Sequence, residues 1–350
     1  AFAEWVPDIP EAGRYAVYVS YASLPISARD AQYTVHHKGG SDVFLVNQQM
    51  GGGTWIYLGT FAFDPGRNLE GRVTLTNASR EINAVVTADA VKFGGGMGNI
   101  GRTVEDSTIL ASYKNITIPP LTSHYPRFTE SARYWLQWAG FADSVYTYFE
   151  GTNDYTDDYT SRGRWVNALA GGSVKHPNNP GLKIPIDLSL AFHTDAGVTK
   201  NDSIIGTLAI YTRDSDGTEL LPTGHNRLTS RDYTDLVQTQ IVNDLRALWN
   251  PDWTRRGIWN RSYSESRSAQ VPAMLLELLS HQNFSDMRFG LDPRFRFTVS
   301  RAIYKGMLRY LSSTQGFDYI VQPLPVNSIA VDCKDAGKAI LSWQPTEDVL

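Results

Sequence analysis

The chain has one cysteine, Cys333, among 350 residues. A disulfide within the chain and a cysteine-based zinc cluster are both excluded. Charge is sparse, at 19% of residues, and neither sign dominates: 36 acidic against 32 basic residues give a net charge of −4. That balance offers no basic surface for nucleic acid. No apolar run approaches the roughly 18–20 residues a membrane-spanning helix needs. With 42% hydrophobic residues, disorder of the bulk is excluded too. Aromatic residues are plentiful, with nine Trp and eighteen Tyr. They suit a large core and also sugar-stacking surfaces, and core packing takes most of them. At roughly 150 residues per domain, the length predicts about two domains.

The first 97 residues read as β. Short alternating runs recur at Tyr15–Tyr21, Val43–Val46, Trp55–Leu58 and Val73–Leu75, with Val85–Phe93 as a last strand pair or a bent strand. Glycine-rich turns at Lys38–Gly40 and Gly51–Gly53, and Asp64–Gly66, separate them. This spacing predicts an all-β sandwich. Residues 98–130 carry Pro119, Pro120 and Pro126 and read as a linker or long loop. From 131 to 320 the pattern becomes α/β. Helical spacing covers Glu130–Gly140, Arg231–Trp249 with Ser230 as N-cap, and Arg296–Leu311; strands are expected at Ile184–Phe192 and Ser203–Tyr211. Alternating strands and helices predict an open, mostly parallel sheet. Two alternating segments in 324–350 read as the beginning of a further β-domain.

Two residues stand out by polarity. His193 closes an apolar strand, and Glu277 interrupts the run Ala273–Leu279. A carboxylate in apolar surroundings must be paired, bound to metal or kept protonated. A structural reading makes His193 a strand-end histidine bonded to backbone, and pairs Glu277 with one of Arg255, Arg256, Arg261 or Arg267. The functional reading puts both in one site. Asn153–Tyr159 holds three Asp and reads as a solvated acidic loop, with calcium binding as the alternative. His36–Gly40 reads as a hairpin turn.

Four blocks between Asp158 and Leu311 resemble, in order, the zinc-dependent N-acetylmuramoyl-L-alanine amidases. They are Arg162 with Asn167, the strand LSLAFHTDA ending near His193, Arg256-Gly257, and VPAMLLELLSHQNFSD with Glu277 and Asn283. The resemblance implies His193 as a zinc ligand and Glu277 as the catalytic carboxylate. It adds Arg256, Asn283, Arg162, Asn167 and His281 as pocket residues. The front part resembles the golvesin C-terminal-like domain, through Trp5, Pro10–Tyr15, Tyr33–His37, Val46–Gln48, Gly53–Trp55, Leu58–Phe61 and Ala88–Val91. The two together resemble bacterial secreted proteins often labelled xanthan lyase, and Leu324–Thr346 resembles the opening strands of a fibronectin type III domain.

The amidase family takes zinc from three protein ligands, and only His193 stands at such a position here. The expectation is therefore a fragment of a longer protein, lacking the amidase's first strand and helix, with zinc in the complete protein and its other ligands upstream of Ala1. The expected activity is hydrolysis of cell-wall peptide amides, outside the cell or at its surface, with a glycan-binding or docking β-sandwich. The expected partner is a cell-wall glycopeptide or polysaccharide, with no nucleic acid and no membrane span; the missing N-terminal segment of the same precursor is a further candidate, and whether the chain stands alone or stays with it is left open. Two alternatives remain open: a non-catalytic carbohydrate-binding scaffold, in which Trp5, Trp55 and Tyr57 stack on sugars, and a polysaccharide lyase.

Overall fold

The computed structural model describes residues 1–94, 103–104, 121–122, 125–334 and 337–349. Most of the expected 98–130 linker lies outside them. The fold falls into two compact units, Ala1–Asp187 with Ser268–Gln270, and Leu188–Arg267 with Val271–Leu350. Residues 131–187, grouped by sequence with the α/β part, belong to the first unit.

In the first unit, seven strands form two antiparallel sheets: β1 (Phe2–Trp5), β2 (Gly13–Ser20), β3 (Ala31–His37), β4 (Gly40–Val46), β5 (Ile56–Phe63), β6 (Arg72–Thr76) and β7 (Ala90–Phe93). One sheet has the order β1-β6-β3-β4 and the other β5-β2-β7. Alternation places Ala31, Tyr33 and Val35 of β3 inward. They share one core with Val17 and Val19 of β2 and Phe63 of β5. His36 and His37 lie on this hairpin, with His37 opposite Gly40 across the turn. The two-residue strands β8 (Thr103–Val104) and β9 (Leu121–Thr122) pair antiparallel.

Three helices complete the unit: α1 (Ala132–Trp138), α2 (Asp143–Tyr146) and α3 (Asp154–Ala170). Ser131 caps α1, and Asn153 caps α3 through Thr156 N. The Asp-rich stretch is thus the first turns of a helix, and not a loop. Its carboxylates are taken: Asp154 pairs with Arg133, Asp158 with Arg162, and Asp157 accepts from the backbone N–H of Phe149 and Gly151. This corrects both the loop and the calcium readings, because acidic residues here favour a helix N-terminus.

The second unit is built on a four-stranded sheet of order β10-β13-β11-β12, with β10 at Ser189–Asp195, β11 at Thr207–Tyr211, β12 at Arg255–Asn260 and β13 at Ala273–Ser280. β10 with β13 and β11 with β12 are parallel, while β11 with β13 is antiparallel. The sheet is therefore mixed. β10 begins at Ser189, five residues later than the sequence pattern implies, and β11 begins at Thr207. Gly206 explains the second shift. It sits at φ +81°, and a Cβ there would lie 2.2 Å from Thr254 O, so the chain turns at that point before the ladder starts.

Helices α4 (Leu228–Leu248) and α7 (Pro293–Gln315) cover one face of the sheet. Val237, Ile241 and Leu245 of α4 meet Val299 and Ala302 of α7 over Met274 and Leu276. Gly306 lets the two helices close, since a Cβ there would stand 2.7 Å from Val237 Cα. Ser230, the expected cap of α4, lies inside it and accepts a hydrogen bond from Ala273 N at 3.2 Å. Two short helices, α5 (Ser264–Ser268) and α6 (Phe284–Gly290), flank β13 in sequence. An exposed antiparallel hairpin, β14 (Ser328–Asp332) with β15 (Ile340–Gln344), follows α7.

Candidate functional site

His193 and Glu277 are direct register partners in the parallel pair β10–β13. Both lie in the C-terminal half of their strands. On its other side Glu277 faces Leu208 of β11 in register. In-register residues of neighbouring strands share a sheet face. That face carries the small apolar cluster Leu208, Ile210 and Leu275, with Ala191 against it. The polar pair thus sits at the edge of an apolar floor.

This setting raises the Glu277 pKa above the ordinary carboxylate value. Burial is the largest cause; His193 and Arg256 pull it back, and the carboxylates of Asp195 and Glu265 push it up further. Glu277 Oε2 is buried and has no hydrogen-bond partner among the described residues. None of the four arginines considered from sequence satisfies it. Arg256 donates to Asp195 Oδ2 at 2.6 Å, Arg255 to Asp235, Arg261 to the Asn260 carbonyl and Arg267 to Ser262.

Two further carboxylates complete the cluster, and the sequence reading missed both. Asp195 of β10 holds Arg256 of β12. Glu265 of α5, 8% exposed in its side chain, places Oε1 at 3.2 Å from His193 Nε2. Asp195 carried a weak signal, two residues beyond His193 on the same alternation. Glu265 carried none, because it lies in the polar stretch Ser264–Ser268.

The remaining expected pocket residues are placed elsewhere. Asn283 is buried and donates to Ser203 O at 2.7 Å and Asp286 Oδ1 at 3.2 Å, while Asp286 also accepts from Ile205 N and Ser280 N. It pins a loop. His281 shares a 3.2 Å hydrogen bond with Thr194 Oγ1, on the side chain that alternates away from His193. Arg162 pairs with Asp158 at 2.6 Å, and Asn167 holds Ser268 O and Gln270 N, both within the first unit.

A catalytic zinc takes about three protein donors and a water. His193 and Glu265 bring two donor atoms together. Among the described residues no three His, Cys, Asp or Glu side chains are grouped to hold a metal ion. The described residues do not by themselves complete a zinc site. No helix of the described residues is long and apolar enough to cross a membrane.

The aromatics singled out in the β part divide. Trp5 packs partly buried against the core. Trp55 lies with Tyr18 and Trp138 around the Lys92 ammonium, which stands 4.8, 4.8 and 3.4 Å from their respective ring centroids. Tyr57 is exposed and shares a hydrogen bond with Thr60.

Comparison with solved structures finds the N-acetylmuramoyl-L-alanine amidase from Clostridium difficile 630 at 18% identity, covering 49% of this chain and 80% of that one, with a TM-score of 0.32. The xanthan lyase structure from Paenibacillus aligns at 34% identity over 27% of this chain and 9% of that one, with a TM-score of 0.25. A curated relative, "Xanthan lyase" of Bacillus sp. (strain GL1), is 38% identical over 90 residues, which are 25% of this chain. The match spans only 10% of that relative's own length. Residues 1–95, the part whose strands and motif residues are described above, match the Golvesin C-terminal domain family.

Proposed function

We propose that the α/β unit is an amidase-like hydrolase site acting on cell-wall peptide, and that the golvesin-like part is a non-catalytic module that docks it on extracellular polymer. The observation that carries the reading is Glu277: a carboxylate on a strand of Ala, Met and Leu, with a buried unpaired oxygen, beside an imidazole on the same face. A buried carboxylate oxygen without a hydrogen bond is costly in a purely structural role and useful to a proton carrier. In the reaction, Glu277 takes a proton from water as the water oxygen bonds to the amide carbon. It returns that proton to the nitrogen as the C–N bond breaks, leaving a carboxylic acid and an amine. The His193–Glu265 and Arg256–Asp195 pairs flank the reacting carboxylate. The order of the four amidase-like sequence blocks supports the choice of an amide bond, and an extracellular or surface location follows from that substrate.

The test is amine release from purified peptidoglycan by the 350-residue chain and by Glu277→Gln. Release that falls by about 10²–10⁴ in the variant supports the reading. An unsaturated uronate product from xanthan would replace it with a lyase. Polymer binding with neither product would leave a scaffold.

A further inference from the structure

We propose that the first unit carries a sugar-binding site beside α1 and α3, and that its ligand is an N-acetylated amino sugar of an uncharged glycan chain. The proposal rests on the polymer-docking part of the proposed function and adds a helical contact to the β strands. It does not involve Glu277.

A hollow of about 380 Å³ lies beside α1, within the size range of small-ligand sites, ~300–1,000 Å³. Its walls are Phe128 of the turn Arg127–Thr129, Trp135 of α1 and Trp165 of α3, all half-buried, with the fully buried Leu136 among them. Other rings brace these walls. Phe128 stacks on Trp138 with centroids 4.6 Å apart, and Trp135 and Trp165 lie 5.0 Å apart at 57°. Phe141 meets both indoles at 6.4 Å. The walls are therefore held in place while part of their surface stays uncovered. A pyranose offers such rings the apolar C–H face of its own ring.

Polar groups narrow the ligand further. Trp165 Nε1 is shut from solvent and has no hydrogen-bond partner among the described residues. An indole nitrogen only donates, and a buried donor left unmade is costly. Trp165 borders the hollow, so a small tilt of its ring turns that N–H onto an acceptor held there. An acetamido carbonyl is such an acceptor, and its methyl group suits Leu136 and Ala132. On the rim, Ser131 accepts from Tyr134 N and keeps its hydroxyl hydrogen to donate. Thr129 Oγ1 donates to Pro126 O at 2.8 Å and keeps its lone pairs to accept. Sugar hydroxyls answer both needs. Glu130 puts a carboxylate in the lining, which repels an acidic sugar and favours a neutral one.

The test titrates chitotetraose, a neutral chain of four N-acetylglucosamines, into the full chain by calorimetry. Cellotetraose serves as the matching sugar without acetamido groups. Nitrogen-15 spectra follow the indole N–H of Trp165, assigned by its loss in Trp165→Phe. Chitotetraose should bind and move that resonance downfield as the N–H gains its acceptor. Trp165→Phe keeps a ring, removes the donor and should weaken binding about three- to tenfold; cellotetraose should bind the parent more weakly by about the same factor. Trp135→Ala removes a wall and should weaken binding roughly tenfold or more. Should that variant fail to fold, Trp165→Phe decides alone. No binding at millimolar chitotetraose would overturn the inference. So would an affinity indifferent to Trp165→Phe, or an equal affinity for cellotetraose. Binding lost in Tyr57→Ala and kept in Trp165→Phe would overturn it too, by placing the contact on the β strands. Chitotetraose binding through these rings, with no amine released from peptidoglycan, would sink the hydrolase reading and leave this site standing. Amine release without chitotetraose binding would do the reverse.

Discussion

A buried amide in the β part and two buried or half-buried charges in the α/β unit meet their surroundings differently. In the β part, Gln48 is fully buried, and every polar end of it is met: its amide nitrogen donates to Tyr33 Oη and Thr87 O, and its oxygen accepts from Thr87 N. The α/β unit buries charge. Lys305, without solvent exposure, lies against Asp244 at 2.6 Å and Asp348 at 3.2 Å. Glu277 is left with an unpaired oxygen at the edge of an apolar cluster. A fully satisfied polar group serves the fold, and an unsatisfied one beside a titratable neighbour points to chemistry. Within one unit, Lys305 and Glu277 show both outcomes: full burial against paired carboxylates, and half-burial with one oxygen unpartnered.

Substitutions can break this contrast. The largest effect is expected at Glu277→Gln, with amine release down by about 10²–10⁴ while thermal unfolding stays within a few degrees of the parent. A large loss of stability instead would place Glu277 with the structural ions. Asp244→Ala is the opposite case. Removing one partner of a buried pair costs about 3–5 kcal/mol, and because Asp348 still faces Lys305 the lower end is expected in urea unfolding, with activity retained in the folded fraction. In the β part, Gln48→Leu strands Thr87 N and the Tyr33 hydroxyl and should cost about 1–3 kcal/mol.

A smaller effect should appear with pH. Burial lowers the Lys92 ammonium from 10.5 to about 8 in its aromatic cage. The unfolded chain therefore binds more protons than the folded one between those values, and stability of the first unit rises with pH across that window. Burial raises the phenols of Tyr21 and Tyr33 from 10.0 to about 12. There the folded state holds the extra protons, so stability is lost as pH climbs above 10.0. Thermal melts should peak near the crossing, and Lys92→Met should remove the rise and keep the fall. Smallest of all is Trp343→Ser on the hairpin, a residue 63% exposed. Its effect should stay within about 0.5 kcal/mol in the same urea unfolding. A larger cost would mean that the exposed face of β14–β15 packs on something.

Much of the site was legible because its signals were local. A lone glutamate in Ala273–Leu279 and a histidine at the end of an apolar run are contrasts that periodicity exposes. The Asp-rich stretch misled for the same reason: composition reported three carboxylates and could not report that Arg133, Arg162 and two backbone N–H groups would claim them. Asn283, His281, Arg162 and Asn167 stood near the right blocks in sequence, yet their hydrogen bonds go to loops and helices, because adjacency in a motif does not set which way a side chain faces.

By itself the sequence determined the β character of the first part, the apolar strands of the second and the residue that breaks one of them, since alternation and burial are written residue by residue. Only tertiary structure decided the antiparallel join of β11 to β13, the meeting of His193 with Glu277, and the approach of Glu265 to Nε2. Those depend on which strands pair and in what register, a long-range choice set by packing on α4 and α7 that no local pattern encodes.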